Sequence, residues 1–263
     1  KGKNKEMRVK KILLVVLISL LFLGVVVPYF YFVAEMEKAA IAETRCSGIN
    51  VNFIDSLKVN LISREEIISL VEQAEKVMGT NYEKVNLKRI ETLLDNRGEI
   101  LKSEVYFSSP TILSIDIVQR KPVVRFENET EGYYADGSGF LFPLLNSYNV
   151  PIVTGDIPLR LGREYMGIPE GEESEWVNGI IRLTDYISSN EYWNKNIEQI
   201  YIENGDICIV SHVSHHKIIF GNFRNIDAKF KKLATFYKTI APSEGWNTYD
   251  VVNLKYNKQI ICK

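Results

Sequence analysis

Ile200-Tyr201-Ile202-Glu203-Asn204-Gly205-Asp206-Ile207-Cys208-Ile209-Val210 reads as two alternating strands around an Asn-Gly pair. Asn-Gly is the strongest short hairpin cue, because the tightest turns need positive φ at both central residues. Around this stretch the same logic repeats. Asn253-Leu254-Lys255-Tyr256-Asn257-Lys258-Gln259-Ile260-Ile261-Cys262 reads as a closing hairpin, and Tyr133-Tyr134-Ala135-Asp136-Gly137 carries an Asp-Gly turn. Two helical stripes interrupt the strands. One runs near Glu172–Ser188, with Trp176, Ile180, Leu183 and Ile187 on one face. The other runs near Asp227–Ile240, with Phe230, Leu233, Tyr237 and Ile240. Residues 121–263 thus predict a mainly antiparallel β domain with flanking helices.

An edge strand at Gln259–Lys263 would present unpaired N–H and C=O groups, a template for an added strand. Ile260 and Cys262 would then point one way, and Ile261 and Lys263 the other. Tyr256, beside Lys255 and the turn, is a candidate aromatic anchor.

Residues 45–120 predict a strand, two helices and two strands. Ile49, Val51 and Phe53 alternate. Ser63 and Glu66 have the capping-box spacing at the head of a helix. Ile67, Leu70, Val71, Ala74 and Val77 share its face, and Gly79 is read as its end. Asn86 reads as a second N-cap before Leu87, Ile90, Leu93 and Leu94, with Gly98 at C′. Val105 and Phe107 begin a strand that turns at Ser108-Ser109-Pro110 and returns through Leu113, Ile115 and Ile117.

Ahead of this lies Ile12–Val33, 22 residues without a charge, ILLVVLISLLFLGVVVPYFYFV. At 1.5 Å per residue it spans roughly 33 Å, the thickness of a bilayer's hydrocarbon core. Tyr29 and Tyr31 sit near one end, where aromatic rings favour the interface. Lys1, Lys3, Lys5, Arg8, Lys10 and Lys11 precede it, and Glu35 and Glu37 follow. The positive-inside rule puts residues 1–11 in the cytoplasm and the rest outside, with 34–44 as a linker. Ala40-Ile41-Ala42 has the look of a signal cleavage site, but the apolar run exceeds a signal core and ends well before it.

The chain has 263 residues, 46% hydrophobic and 25% charged, with a net charge of -1. Of 32 basic and 33 acidic side chains, six and one lie in residues 1–11, so the remainder carries 26 and 32. So acidic a body is a poor nucleic-acid binder. Three cysteines are too few for a disulfide framework.

Groups that carry chemistry are sparse. Cys208, His212, His215 and His216 fall within nine residues. On one strand Cys208, His212 and His216 would share a face while His215 points away, and no second Cys/His pair completes a zinc set. A polar turn over Ser211–His216 and a buried Cys208 explain the same residues. Asp136-Gly137-Ser138-Gly139 lacks the dinucleotide-binding spacing and reads as a hairpin loop. Glu170, Glu172, Glu173 and Glu175 suit an acidic helix start rather than a calcium loop. Asn128-Glu129-Thr130 is a glycosylation sequon. No catalytic set, metal site or cofactor is expected.

The order of parts resembles the bacterial cell-division family FtsQ/DivIB. Residues 45–120 match the βααββ order of a POTRA domain. Gln119-Arg120-Lys121-Pro122-Val123-Val124 is similar to the family's Arg-x-Pro junction. Tyr133-Tyr134-Ala135-Asp136-Gly137-Ser138-Gly139-Phe140-Leu141-Phe142-Pro143 is similar to its Y-x-D-x-x-G-x-x-x-P hairpin. Asp250-Val251-Val252-Asn253-Leu254-Lys255-Tyr256, followed by Gln259-Ile260-Ile261-Cys262, is similar to its closing strands. The resemblance says least about the insert around 160–195.

The resemblance implies an α+β protein: a transmembrane helix over 12–33, a POTRA-like domain over 45–120, and a β domain over 121–263. It implies a non-enzymatic divisome scaffold in the bacterial inner membrane at the septum, with most of the chain periplasmic. Its partners would be bitopic division proteins of the FtsB/FtsL type, and other divisome proteins through the POTRA domain. Together they would regulate septal peptidoglycan synthesis. Binding would fall on Lys255, Tyr256, Gln259, Ile260, Ile261, Cys262 and Lys263. Two alternatives stand beside this reading: a membrane-anchored Cys/His hydrolase using Cys208, and a POTRA chaperone module of secretion. No barrel-length series of strands follows to support the second.

Overall fold

The computed structural model describes residues 2–54, 61–128 and 131–263. The sequon at 128–130 reaches outside the described residues. Helix α1, Gly2–Glu43, carries the apolar span. Leu14–Lys38 is long and apolar enough to cross a membrane, and none of it is buried. The expected linker over 34–44 is helical as far as Glu43. Ala34-Glu35-Met36-Glu37-Lys38-Ala39-Ala40 consists of good helix formers, and Lys38 lies 4.0 Å from Glu35 one turn back. Nothing in that run breaks the helix.

After α1 come β1 (Gly48–Phe53), α2 (Arg64–Ala74), a 3₁₀ turn at Tyr82–Lys84, α3 (Leu87–Asp95), β2 (Ile100–Ser109) and β3 (Ile112–Gln119). The three strands pair in the order β1-β3-β2. The capping box forms: the Glu66 amide donates to Ser63 Oγ at 3.2 Å, and the Ser63 amide to Glu66 Oε2 at 2.8 Å. Asn86 Oδ1 likewise accepts from the Arg89 amide at 3.0 Å. Ile67, Val71, Ile90, Leu94, Leu113, Ile115 and Ile117 are fully buried.

Two helix ends differ from expectation. Helix α2 stops at Ala74, and beyond it the Glu72 carboxylate takes the Met78 amide at 2.9 Å. Gly79, at φ 75°, instead turns the chain so that its amide reaches the Cys46 carbonyl. Gly98 is not a left-handed cap. It is buried, and a Cβ there would come within 2.6 Å of Phe142 Cβ, so close packing demands the glycine.

The second half begins with β4 (Pro122–Glu127), β5 (Gly132–Asp136), β6 (Leu141–Pro143) and β7 (Ile152–Gly155). Helices α4 (Gly171–Ser188) and α5 (Glu191–Asn196) follow, then β8 (Ile197–Glu203), β9 (Asp206–Ser211) and β10 (Ser214–Gly221). Helix α6 (Ile226–Thr235) continues through a π-turn at Phe236–Ile240 into α7 (Ala241–Glu244). Strands β11 (Val251–Asn253) and β12 (Ile261–Cys262) end the order. These strands make one nine-stranded sheet, β12-β11-β10-β9-β8-β7-β4-β5-β6. It is mostly antiparallel, but β4/β7, β7/β8 and β10/β11 are parallel. Parallel neighbours need crossovers, and α4–α5 and α6–α7 supply the last two.

The core lies on one face. Val124, Val153, Ile200, Ile202, Ile207, Ile209, Ile218, Phe220 and Val252 pack with Ile180 and Leu183 of α4 and Phe230 and Leu233 of α6. Each such side chain contributes about 1.5–3 kcal/mol. A smaller cluster of Leu61, Tyr134 and Phe142 lies apart from it. The molecule divides into two compact units: Lys1–Asn52, Ile68–Thr92 and Glu104–Asp116 form one, and Phe53–Ile67, Leu93–Ser103 and Ile117–Lys263 the other.

Candidate functional site: the C-terminal edge of the sheet

The Asn204-Gly205 hairpin forms as its sequence dictates. Asn204 sits at φ 52° and Gly205 at φ 78°, and Glu203 pairs with Asp206 across the turn. Strand β10 then pairs with β9, and β11 runs parallel to β10 with Lys217 opposite Val251. The sheet ends at β12.

The expected strand over Gln259–Lys263 is shorter than its pattern suggests, spanning Ile261–Cys262. Its facing is as expected. Ile260 and Cys262 pack against the core, Ile261 is 37% exposed, and Lys263 is exposed. Val251 and Lys263 exchange both backbone hydrogen bonds, at 3.0 Å each. Val252 and Cys262 are therefore a pair whose own amides turn away from each other. The N–H and C=O of Cys262 face the outer edge.

The seven residues between β11 and β12 carry a turn at Asn257–Lys258, with Lys258 at φ 59°. They are gathered by Lys232 on α6, whose Nζ donates to the carbonyls of Leu254 (2.7 Å), Tyr256 (2.6 Å) and Gln259 (3.2 Å). An ammonium has three N–H donors, and all three are used. Burial pulls the Lys232 pKa down. With its carbonyl held, Tyr256 remains 47% exposed. Lys255 leans the other way, its Nζ 2.6 Å from Asp206 Oδ2, and this bond raises its pKa. Its stem lies over Gly221, where a Cβ would come within 2.6 Å of Lys255 Cγ. Between α6 and the loop is a cleft of 430 Å³, bordered by Thr235, Ile240, Lys258 and Ile260.

The seven expected site residues thus lie together at one edge, though Lys255 is held by Asp206 and Gln259 enters through its carbonyl. Lys232 was missed by pattern reading. So was Lys229, which is buried and donates to the Asn222 carbonyl at 2.6 Å. Burial lowers its pKa to about 8. A signal existed: Lys229 precedes Leu233 by one turn on the apolar face, where a solvated lysine does not belong.

A second polar centre lies in the same unit. Arg120 Nη1 donates to Asp136 Oδ2 at 2.6 Å, and Arg120 Nε to the Gly98 carbonyl at 3.1 Å. The guanidinium lies 3.7 Å from the Phe140 ring centroid. Asp136 Oδ1 accepts from the Ser138 hydroxyl and from the Ser138 and Phe140 amides. Burial alone would push the Asp136 pKa up, but the bonds from Ser138, Arg120 and Phe140 hold it below the ordinary value. The turn expected at Asp136-Gly137 is thus a four-residue loop wrapped on a carboxylate. Its positive φ is at Gly139, not Gly137.

Cys208, His212 and His216 do not converge; the His215 side chain lies outside what the structure describes. Cys208 pairs with Ile219 and Ile209 with Ile218, so Cys208 faces away from the core that holds Ile209. His216 lies on the core face, its Nε2 2.9 Å from Tyr237 Oη, with Phe236 edge-on. The turn at 212–213 and the irregular register after Ser214 break the parity expected of one continuous strand. Burial raises the Cys208 thiol pKa and lowers that of His216, the reverse of an activated pair. His212 is exposed, 3.5 Å from Glu198. Among the described residues no three His, Cys, Asp or Glu side chains cluster as a metal site. Glu172 and Glu173 occupy the first turn of α4, as expected of an acidic helix start.

An apolar N-terminal helix, a βααββ layer and a large sheet ending in an open strand define a membrane-anchored class of POTRA-bearing protein. Family models match the two parts that follow the helix. One described as "FtsQ/DivIB, C-terminal related" matches residues 121–263, and a POTRA-like domain model matches 44–118. The chain belongs to the FtsQ/DivIB family, and with it to cell division. No curated protein matches it.

Proposed function

We propose that this chain is a non-enzymatic scaffold of the divisome. In this reading 1–11 is a cytoplasmic tail, 12–33 crosses the bacterial inner membrane, and 45–120 and 121–263 stand outside it. The β domain binds partner bitopic proteins of the FtsB/FtsL type at the septum, and the complex regulates septal peptidoglycan synthesis. The POTRA domain recruits further divisome proteins. The observation that carries the reading is the position of β12. It is the last strand of the sheet, its outward backbone pair is open among the described residues, and Tyr256 and Ile261 are exposed beside it. A partner strand docked there would gain main-chain hydrogen bonds, with side chains to set specificity.

The test is capture of purified FtsB/FtsL-type proteins by the full chain in detergent. Cys262→Pro removes the outward N–H without breaking a bond to β11. Tyr256→Ala removes the ring. The expected result is capture by the unaltered chain and loss of at least ten-fold in each variant. Equal capture by all three would rule out the edge as the site.

A further inference from the structure

We infer that Lys232 is the positioning residue of the docking edge: its ammonium shapes the 254–260 loop in advance, so that β12 and Tyr256 meet a partner already ordered. The inference rests on the docking proposed above and deepens it.

The geometry is stoichiometric. Three donors meet three carbonyls from one loop, spread over six residues from Leu254 to Gln259. Bonds to a charged donor are stronger than neutral ones, and more so where water is partly excluded. Within the loop the ties are local: a turn at Asn257–Lys258, with Lys258 at φ 59°, and the Lys255 amide donating to Asn253 Oδ1. They shape the chain locally and do not tie it to α6. Lys232 itself is fixed by its helix, since Phe230 and Leu233 on either side are buried. The loop is therefore referred to α6 through one side chain, as Lys255 refers it to Asp206 at the head of β9. An edge ordered before docking avoids the entropy of ordering a seven-residue loop at the moment of binding. Lys232 does not need to touch the partner to act this way. It works through the Tyr256 and Gln259 carbonyls, which flank the exposed ring and the start of β12.

The experiment uses the full chain in detergent and three readouts: amide exchange, thermal midpoint and capture of FtsB/FtsL-type proteins. Lys232→Met keeps the aliphatic stem and removes the donors. Exchange is expected to speed up at least ten-fold within 254–263 while the amides of β8 and β9 are unchanged. Capture is expected to weaken about ten-fold, mainly through slower association, with little change in thermal midpoint. Lys232→Arg is expected to fall between, because a planar fork reaches two of the three carbonyls. In a Tyr256→Ala background the same Lys232→Met change is expected to cost less, since both act through one loop.

Unchanged exchange in 254–263 would overturn the inference, because the clamp would not be ordering the loop. Faster exchange with undiminished capture would also overturn it, leaving Lys232 a purely structural residue. If Lys232→Met lowers capture only by unfolding the sheet, β8 and β9 would lose protection too, and the positioning role falls. If the unaltered chain captures nothing, the docking reading fails and this inference fails with it. That outcome is distinct from every one in which unaltered and variant chains are compared.

Discussion

Two hairpins of the same sheet are closed in opposite ways. Between β8 and β9, Asn204 and Gly205 turn the chain with backbone conformation alone. Between β11 and β12, a turn at Asn257–Lys258 is only part of a seven-residue loop, and a lysine from another element takes three of that loop's carbonyls. The β5–β6 hairpin is of the second kind, with Asp136 and Arg120 at its centre. A backbone turn is local and independent of charge. A charged clamp ties a loop to distant parts of the chain and makes it sensitive to protonation and to single side-chain changes. The sheet uses the first device at an interior pairing and the second at both of its outer hairpins.

The comparison is broken most directly at Arg120. Arg120→Met leaves the buried Asp136 carboxylate without its countercharge, and a loss of about 3–5 kcal/mol is expected. Urea unfolding at neutral pH measures it, and a loss below about 1 kcal/mol would mean the clamp is dispensable. Gly205→Ala is the matched change in the backbone turn. Nothing lies within 4 Å of the added Cβ, so only the positive φ opposes it, and about 1 kcal/mol is expected. Its effect should not vary with pH, and capture of partners should be unaltered.

Charge sensitivity sharpens the contrast further. The Asp136 pKa is lower folded than unfolded, so the folded state binds fewer protons there. Its contribution is therefore present above the ordinary carboxylate range and lost as pH falls through the folded pKa. Asp136→Asn is expected to flatten the acid limb of the stability profile relative to the unaltered chain. Lys229 gives the opposite limb. Its folded pKa of about 8 lies below the unfolded value, so the unfolded chain binds more protons between about pH 8 and 10. Stability should rise with pH in that window, and Lys229→Met should remove that part of the rise.

What was legible in the sequence was what is local. The Ser63–Glu66 box, the Asn86 cap, the Asn204-Gly205 turn and the alternation of Leu113, Ile115 and Ile117 each need only a few neighbouring residues. The facing of Ile260, Ile261 and Cys262 was legible for the same reason, since strand alternation has period two. The length of β12 was not, because it ends where a lysine 27 residues earlier takes the Gln259 carbonyl. Nor were the parallel pairings of β7 and β11, which are set by crossovers. Gly98 was misread as a cap because its true constraint, Phe142, lies far along the chain. Arg120 and Asp136 were both singled out, yet sixteen residues separate them and no local rule joins them.

The saturation of Lys232 has an analytical consequence. An amine whose hydrogens are all engaged, in a partly buried place, is a poor target for acylating reagents. Lys231, its neighbour, is exposed and paired with Asp227 one turn back. The ratio of labelling at these two adjacent positions is thus an internal gauge of how often the terminal loop lifts away, readable by mass spectrometry in an unaltered membrane preparation.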